Sequence, residues 1–206
     1  MNKKKLAITL SKLKEPEKPK PYLEQYTIPG DLAAEILNLA YLAGDIKEKT
    51  IFDFGCGSGR LSIGSALLGA KTVVGIDIDK SSLKTAKENK KLVEKEFKIK
   101  NLYFVLYDIN NWYSKADVII QNPPFGIQRK HSDRLFLEKS LECGKKIYSL
   151  HRNGYKKTRD FLINFIKSRK GKILSIQKMS FTLPRIFKFH KKRIVRYDVD
   201  LYVIKS

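Results

Sequence analysis

The chain has 206 residues, with 42 Lys and Arg against 21 Asp and Glu and a formal net charge of +21. A chain of this length is expected to bury about 70% of its unfolded surface around a single core, and its charge makes a polyanion such as RNA the first partner to consider. The two cysteines stand in no CxxC pair and at no metal-ligand spacing, and no apolar run approaches the ~18 residues of a membrane span or the pattern of a secretory leader; a reduced, cytoplasmic protein with no metal and no membrane contact is expected.

In chain order, residues 1 to 30 are basic and carry Pro16, Pro19, Pro21 and Pro29. Proline lacks a backbone donor and excludes the helical conformation from the residue before it, so no long helix is expected after Leu13 and the segment reads as an arm or lid. Residues 31–206 then form one domain. The stretch DLAAEILNLAYLAG predicts a helix with Asp31 as N-cap, apolar spacing through Leu32, Ile36, Leu39 and Ala40, and a stop at Gly44. Strands are expected at Thr50–Phe54, Thr72–Ile76, Leu102–Leu106, Val118–Ile120, Ile147–Leu150, Lys172–Ile176 and Val199–Ile204. Helices at Leu61–Leu68, Ser81–Glu96, Arg134–Glu142 and Thr158–Lys167 fall between the first six. That alternation predicts an α/β fold, a Rossmann-like, doubly wound, mostly parallel sheet of seven strands. The last two strands have only the basic segment around 183–200 between them and are expected to form an antiparallel hairpin.

The first chemical motif is IFDFGCGSGRLSIG, in which Gly55, Gly57 and Gly59 let the backbone turn tightly at a strand end and approach a ligand before a helix begins near Arg60. Its spacing is D-x-G-x-G-x-G, which fits neither the GxGxxG dinucleotide fingerprint nor a P-loop. The next strand ends at Asp77, where a carboxylate can accept from two ribose hydroxyls. Asp79 is the alternative N-cap for the helix that follows. Asp108, after the third strand, can accept from an adenine amino group or serve as a turn residue. The run QNPPFG, Gln121 to Gly126, ends the fourth strand, since its prolines deny the next ladder hydrogen bonds. All four features fall at carboxyl ends of successive parallel strands, the edge along which open α/β sheets bind ligands. The segment KFHKKRIVRY interleaves cations with rings, the two ingredients of single-stranded nucleic-acid binding. His151 and His190 are expected at the surface, His151 opening on the edge that carries the glycine loop.

Glycine loop, strand-end acids and NPPF together resemble class I S-adenosyl-L-methionine-dependent methyltransferases that act on planar nitrogens. The stretches LEQY, LSIGSALLGAKTVVGIDID, NPPFG, IYSLH, LPRIFKFHKK and DVDL further resemble the methyltransferase-like protein 5 family, whose members methylate adenine N6 in small-subunit ribosomal RNA. The resemblance implies cofactor contacts at Gln25, Ile28, Gly55, Gly57, Ser58, Arg60, Asp77, Asp108 and Asn122. Ile28 and Arg60 depart from the family pattern, which favours a threonine and a small apolar residue there. Catalysis would rest on Asn122, Pro123, Pro124 and Phe125, RNA contact on Lys188, Phe189, His190, Lys191, Lys192 and Arg193, and a small zinc-binding activator protein is an implied partner. Guanine-N2 methylation of RNA, methylation of protein glutamine, and a catalytically silent RNA-binding scaffold are the alternatives.

Overall fold

The computed structural model describes residues 1–17, 19–25, 27–124, 132–153, 156–184 and 194–206. Its elements run α1 (Lys3–Ser11), α2 (Gly30–Leu42), β1 (Thr50–Phe54), α3 (Arg60–Leu67), β2 (Thr72–Asp77), α4 (Lys80–Glu94), β3 (Leu102–Leu106), β4 (Ala116–Gln121), α5 (Ser132–Cys143), β5 (Gly144–Arg152), α6 (Lys156–Ser168), β6 (Lys172–Pro184) and β7 (Ile194–Lys205), with short 3-10 turns at Pro21–Leu23 and Ile109–Asn111. The strands form one sheet in the order β3-β2-β1-β4-β5-β7-β6. Neighbours from β3 through β5 pair parallel, and β7 pairs antiparallel with both β5 and β6. This is the doubly wound architecture with a C-terminal antiparallel hairpin that the sequence predicts.

Alternation along β4 sets the two faces. Val118 and Ile120 point into the core shared with α1, α2 and α3, whereas Ile119 points into the core under α5 and α6. With both faces covered, the central strands read as continuous apolar runs rather than alternating ones. No described helix is long and apolar enough to cross a membrane.

Two expectations are corrected. The first part of the presumed arm is helix α1, whose Leu6 and Leu10, followed by Leu13, are buried in the core. Spacing of four and then three residues puts all three on one side, while Lys3, Lys4 and Lys5 stay exposed. Asn2 caps this helix by accepting from the Lys5 backbone N–H at 2.9 Å. The N-cap of α2 is Pro29, not Asp31, which lies in the first turn and accepts from the Leu32 N–H at 2.8 Å. Gly30 opens that helix because a Cβ there would lie 2.4 Å from the backbone nitrogen of Ser11; the close crossing of α1 and α2 needs its missing side chain.

Candidate active site

Strand order reverses between β1 and β4, which makes the crevice at their carboxyl ends the topological switch point. Register sharpens this: Phe54 pairs with Gln121, so Gly55 and Asn122 leave adjacent strands side by side. Gly55, Gly57 and Gly59 all have left-handed backbones, with φ of 67°, 54° and 81°, which side-chain-bearing residues rarely adopt. The loop is fixed from behind, where Gly55 and Cys56 donate to the Ile76 carbonyl at 2.9 and 3.1 Å, and Asn89 donates to the Ser58 carbonyl at 3.0 Å.

A cavity of about 340 Å³ opens here, within the range of small-molecule sites. Its wall includes Gly55, Gly57, Ser58 and Arg60 from the loop, Asp77, Asp108, Asn122 and Pro124 from the strand ends, and Gln25 and Ile28 from the N-terminal segment. Nearly every described residue expected at the cofactor or the reaction thus reaches one space. Pro123 is buried and absent from that wall. Phe125 lies outside the described residues, as do His190 and the whole proposed RNA-binding run Lys188–Arg193.

Each acid has a distinct environment. The Asp77 carboxylate accepts from the Gly57 N–H and the Asp79 N–H, both at 2.8 Å. These bonds orient it at the end of β2, and burial pushes its carboxyl up. Asp79 caps α4, accepting from Ser82 N–H at 3.0 Å. Burial alone would raise its carboxyl, but donors from Lys20, Gln25 and Ser82 outweigh that and hold it well below the usual range. Asp108 accepts from Asn110 N–H at 2.9 Å, the geometry of the turn residue. That bond uses one oxygen and leaves its place on the cavity wall intact.

Asp53 is the acid for which the sequence suggested no role. It ends in the core of β1, 1% exposed, with one oxygen accepting from Ser62 Oγ at 2.5 Å and the other, Oδ1, without a partner among the described residues. Burial pushes its carboxyl up to about 7, against the bond from Ser62. Because Asp53 also lines the cavity, a cationic ligand group would supply a partner that none of the described residues gives its Oδ1. The signal was legible as the first residue of D-x-G-x-G-x-G.

Two of the expected contacts also hold the arm in place. Gln25 donates to Asp79 at 3.0 Å and Ser82 at 3.1 Å while accepting from the Lys20 N–H at 2.7 Å. Its amide therefore ties the arm to the start of α4. The Arg60 guanidinium is buried and donates to the carbonyls of Ile28 at 2.6 Å and Leu13 at 3.0 Å, with Glu15 at 3.7 Å. Burial lowers its basicity, and the two carbonyls it satisfies belong to the protein. Its side chain is thus a clamp on the arm, which accounts for a large cation at this position, while the residue still forms part of the cavity wall.

His151 is corrected too. It is buried, 2% exposed, with Nε2 2.7 Å from Ser149 Oγ and its ring edge-on to Tyr202. Desolvation pulls its imidazole down to about 3, so it is neutral at physiological pH.

Comparison with known proteins follows the same lines. The family model for ribosomal protein L11 methyltransferase (PrmA) matches residues 35–123, the segment that carries the glycine loop and the strand-end acids. The rRNA N(6)-adenosine-methyltransferase METTL5 of Danio rerio is 35% identical over 97% of this chain and 97% of its own length. An uncharacterized protein of Methanocaldococcus jannaschii is 44% identical over 100% of this chain and 95% of its own. A crystal structure from Pyrococcus horikoshii, described as a candidate RNA methyltransferase, superposes with a TM-score of 0.90 at 39% identity, covering 100% of this chain and 98% of that one.

Proposed function

The chain belongs to the METTL5 family of rRNA N(6)-adenosine methyltransferases, and on that premise we propose that it methylates the exocyclic N6 of an adenosine in small-subunit ribosomal RNA, using S-adenosyl-L-methionine. One observation carries the reading: the register that sets Asn122 beside Gly55 brings Asn122, Pro124 and the glycine loop to the wall of a single cavity. The L11 methyltransferase match ends at Pro123, so it reflects the shared cofactor segment and does not choose a substrate.

The residues fit the cofactor. Its ammonium suits the unpartnered Oδ1 of Asp53, and its ribose diol suits Asp77, whose oxygens each accept one backbone N–H and keep further lone-pair capacity. The Asp108 oxygen that does not bond Asn110 suits an adenine amine. When bound, S-adenosylmethionine supplies a methyl group on a cationic sulfonium.

The chain's own work is to prepare the acceptor nitrogen. An adenine N6 lone pair is delocalised into the ring and is a poor nucleophile. Acceptance of its two N–H groups by the Asn122 side-chain oxygen and the Pro123 carbonyl draws the nitrogen toward tetrahedral geometry and frees the lone pair. The same acceptors stabilise positive charge as it develops on nitrogen. Pro123 and Pro124 stiffen the backbone that carries them, and Phe125 stacks on the base. The adenosine must leave any helix to enter, a cost of a few kcal/mol that is least in loops. Lys191, Lys192 and Arg193 are assigned to the RNA backbone, and Phe189 or His190 to its bases. The family likeness also suggests a small zinc-binding activator subunit, and β3, at the sheet edge among the described residues with Tyr103 and Leu106 exposed, offers a surface to which a strand can add.

Asn122→Ala tests the assignment. It should lower methyl transfer to ribosomal RNA by about a hundredfold or more while leaving cofactor affinity by calorimetry within a few fold; retained turnover would remove Asn122 from the mechanism.

A further inference from the structure

Strand β4 delivers the shelf, and its last paired residue sets where the shelf begins. Neither Pro123 nor Pro124 has a backbone N–H to give to the neighbouring strands, so Gln121 is the last residue of β4 that both pairs in the sheet and precedes the acceptor groups. A reaction that depends on two acceptors requires their placement to within about 0.5 Å.

Gln121 is 1% exposed and joins a buried polar chain that crosses the sheet. Its amide oxygen accepts from Ser140 Oγ on α5 at 2.7 Å, and its amide nitrogen donates to Ser149 Oγ on β5 at 2.8 Å. Ser140 Oγ is also 2.6 Å from the Phe136 carbonyl. Ser140 has one hydroxyl proton for two nearby acceptors, and Ser149 Oγ lies 2.7 Å from His151 Nε2, where the imidazole tautomer sets which of the two donates. Ser140, Ser149 and His151 are each 2% exposed or less. The preceding β4 residues Val118, Ile119 and Ile120 are apolar and equally buried, so packing alone would be served by an apolar side chain at 121. A buried hydrogen-bonded network instead favours one arrangement of the elements it joins.

We infer that Gln121 is a positioning residue for methyl transfer: the chain Ser140–Gln121–Ser149–His151 locks the end of β4 against α5 and β5 and thereby sets the position of Asn122 on the cavity wall and of the Pro123 backbone that follows it. This rests on the function proposed above. Gln121 touches neither cofactor nor base; it acts through the backbone it anchors.

The test compares Gln121→Met, which keeps length without hydrogen bonds, with Ser149→Ala and Ser149→Thr. For each, kcat and KM on ribosomal RNA, cofactor Kd by calorimetry and thermal midpoint are measured. Gln121→Met and Ser149→Ala should lower kcat by about tenfold or more with cofactor Kd changed less than about twofold, and Ser149→Thr, which restores the hydroxyl, should recover most of the loss. A purely structural role predicts a lower midpoint with unchanged kcat per folded molecule, and that result would overturn the inference. Ratios are taken on whichever nitrogen the wild-type enzyme methylates. Failure of the adenine assignment then appears as a different product, and failure of this inference as an unchanged ratio. Should Gln121→Met not fold, the Ser149 pair decides the question alone.

Discussion

Asp53 gives the cofactor site a pH dependence that can be worked out in advance. Its carboxyl, pushed up to about 7 by burial, is mostly protonated in the free protein at mildly acidic pH, whereas only the ionised form attracts an ammonium group. Cofactor affinity should therefore rise with pH. With this value the ionised fraction grows from about 3% at about pH 5.5 to about 76% at about pH 7.5, a gain of about 25-fold, or ~1.9 kcal/mol, in apparent affinity. The window stops below the point at which the ligand's own α-amino group loses its proton, at about 7.7–8.0. Calorimetric titration of S-adenosylmethionine across this range should show that rise in the wild type and a flat, weaker profile in Asp53→Asn. The asparagine variant also separates Asp53 from Asp77, which lies close enough to couple to it. Equal slopes for both proteins would refute the role given to Asp53.

Replacing Arg60 with Met leaves the carbonyls of Leu13 and Ile28 without the donors that now hold them at 3.0 and 2.6 Å. A loss of about 3 kcal/mol is expected, with faster proteolysis between residues 12 and 30; unchanged stability and cleavage would show that the clamp contributes nothing. His151 makes the fold sensitive to acid. Its imidazole is held at about 3 in the folded protein against an ordinary 6.5, so only the unfolded chain takes up a proton as pH falls below 6.5, and stability drops by about 1.4 kcal/mol per pH unit. Asp53 works in the opposite sense over an overlapping range, because its raised carboxyl is protonated first in the folded state. Denaturant curves of wild type and His151→Asn should therefore converge by about 2–3 kcal/mol between about pH 6.5 and about pH 4.5, and parallel curves would contradict the buried neutral histidine.

Much of the scaffold was legible because its signals are local. Thr50–Phe54 and Leu102–Leu106 match the observed strands residue for residue, since each is an apolar run bounded by turn or charged residues. Asp77 and Asp108 were legible by position at strand ends, and Asp79 as the cap of α4. Helix α1 was hidden by its lysines, although Leu6, Leu10 and Leu13 already carried the helical spacing. Strands β6 and β7 run well beyond the expected cores, to Pro184 and back to Ile194, because an antiparallel ladder continues through residues too polar to announce a strand. Arg60 and His151 were out of reach for another reason. What makes each of them buried and partnered is contributed by segments distant in sequence, Leu13 and Ile28 for the one, Tyr202 for the other, and a linear pattern does not encode such encounters.

Incubation of the protein with labelled S-adenosylmethionine and small-subunit ribosomal RNA, followed by digestion to nucleosides, tests the central claim most directly. Label in N6-methyladenosine, lost in Asn122→Ala, is the predicted result. Label in methylguanosine or in protein, with none in adenosine, would contradict it.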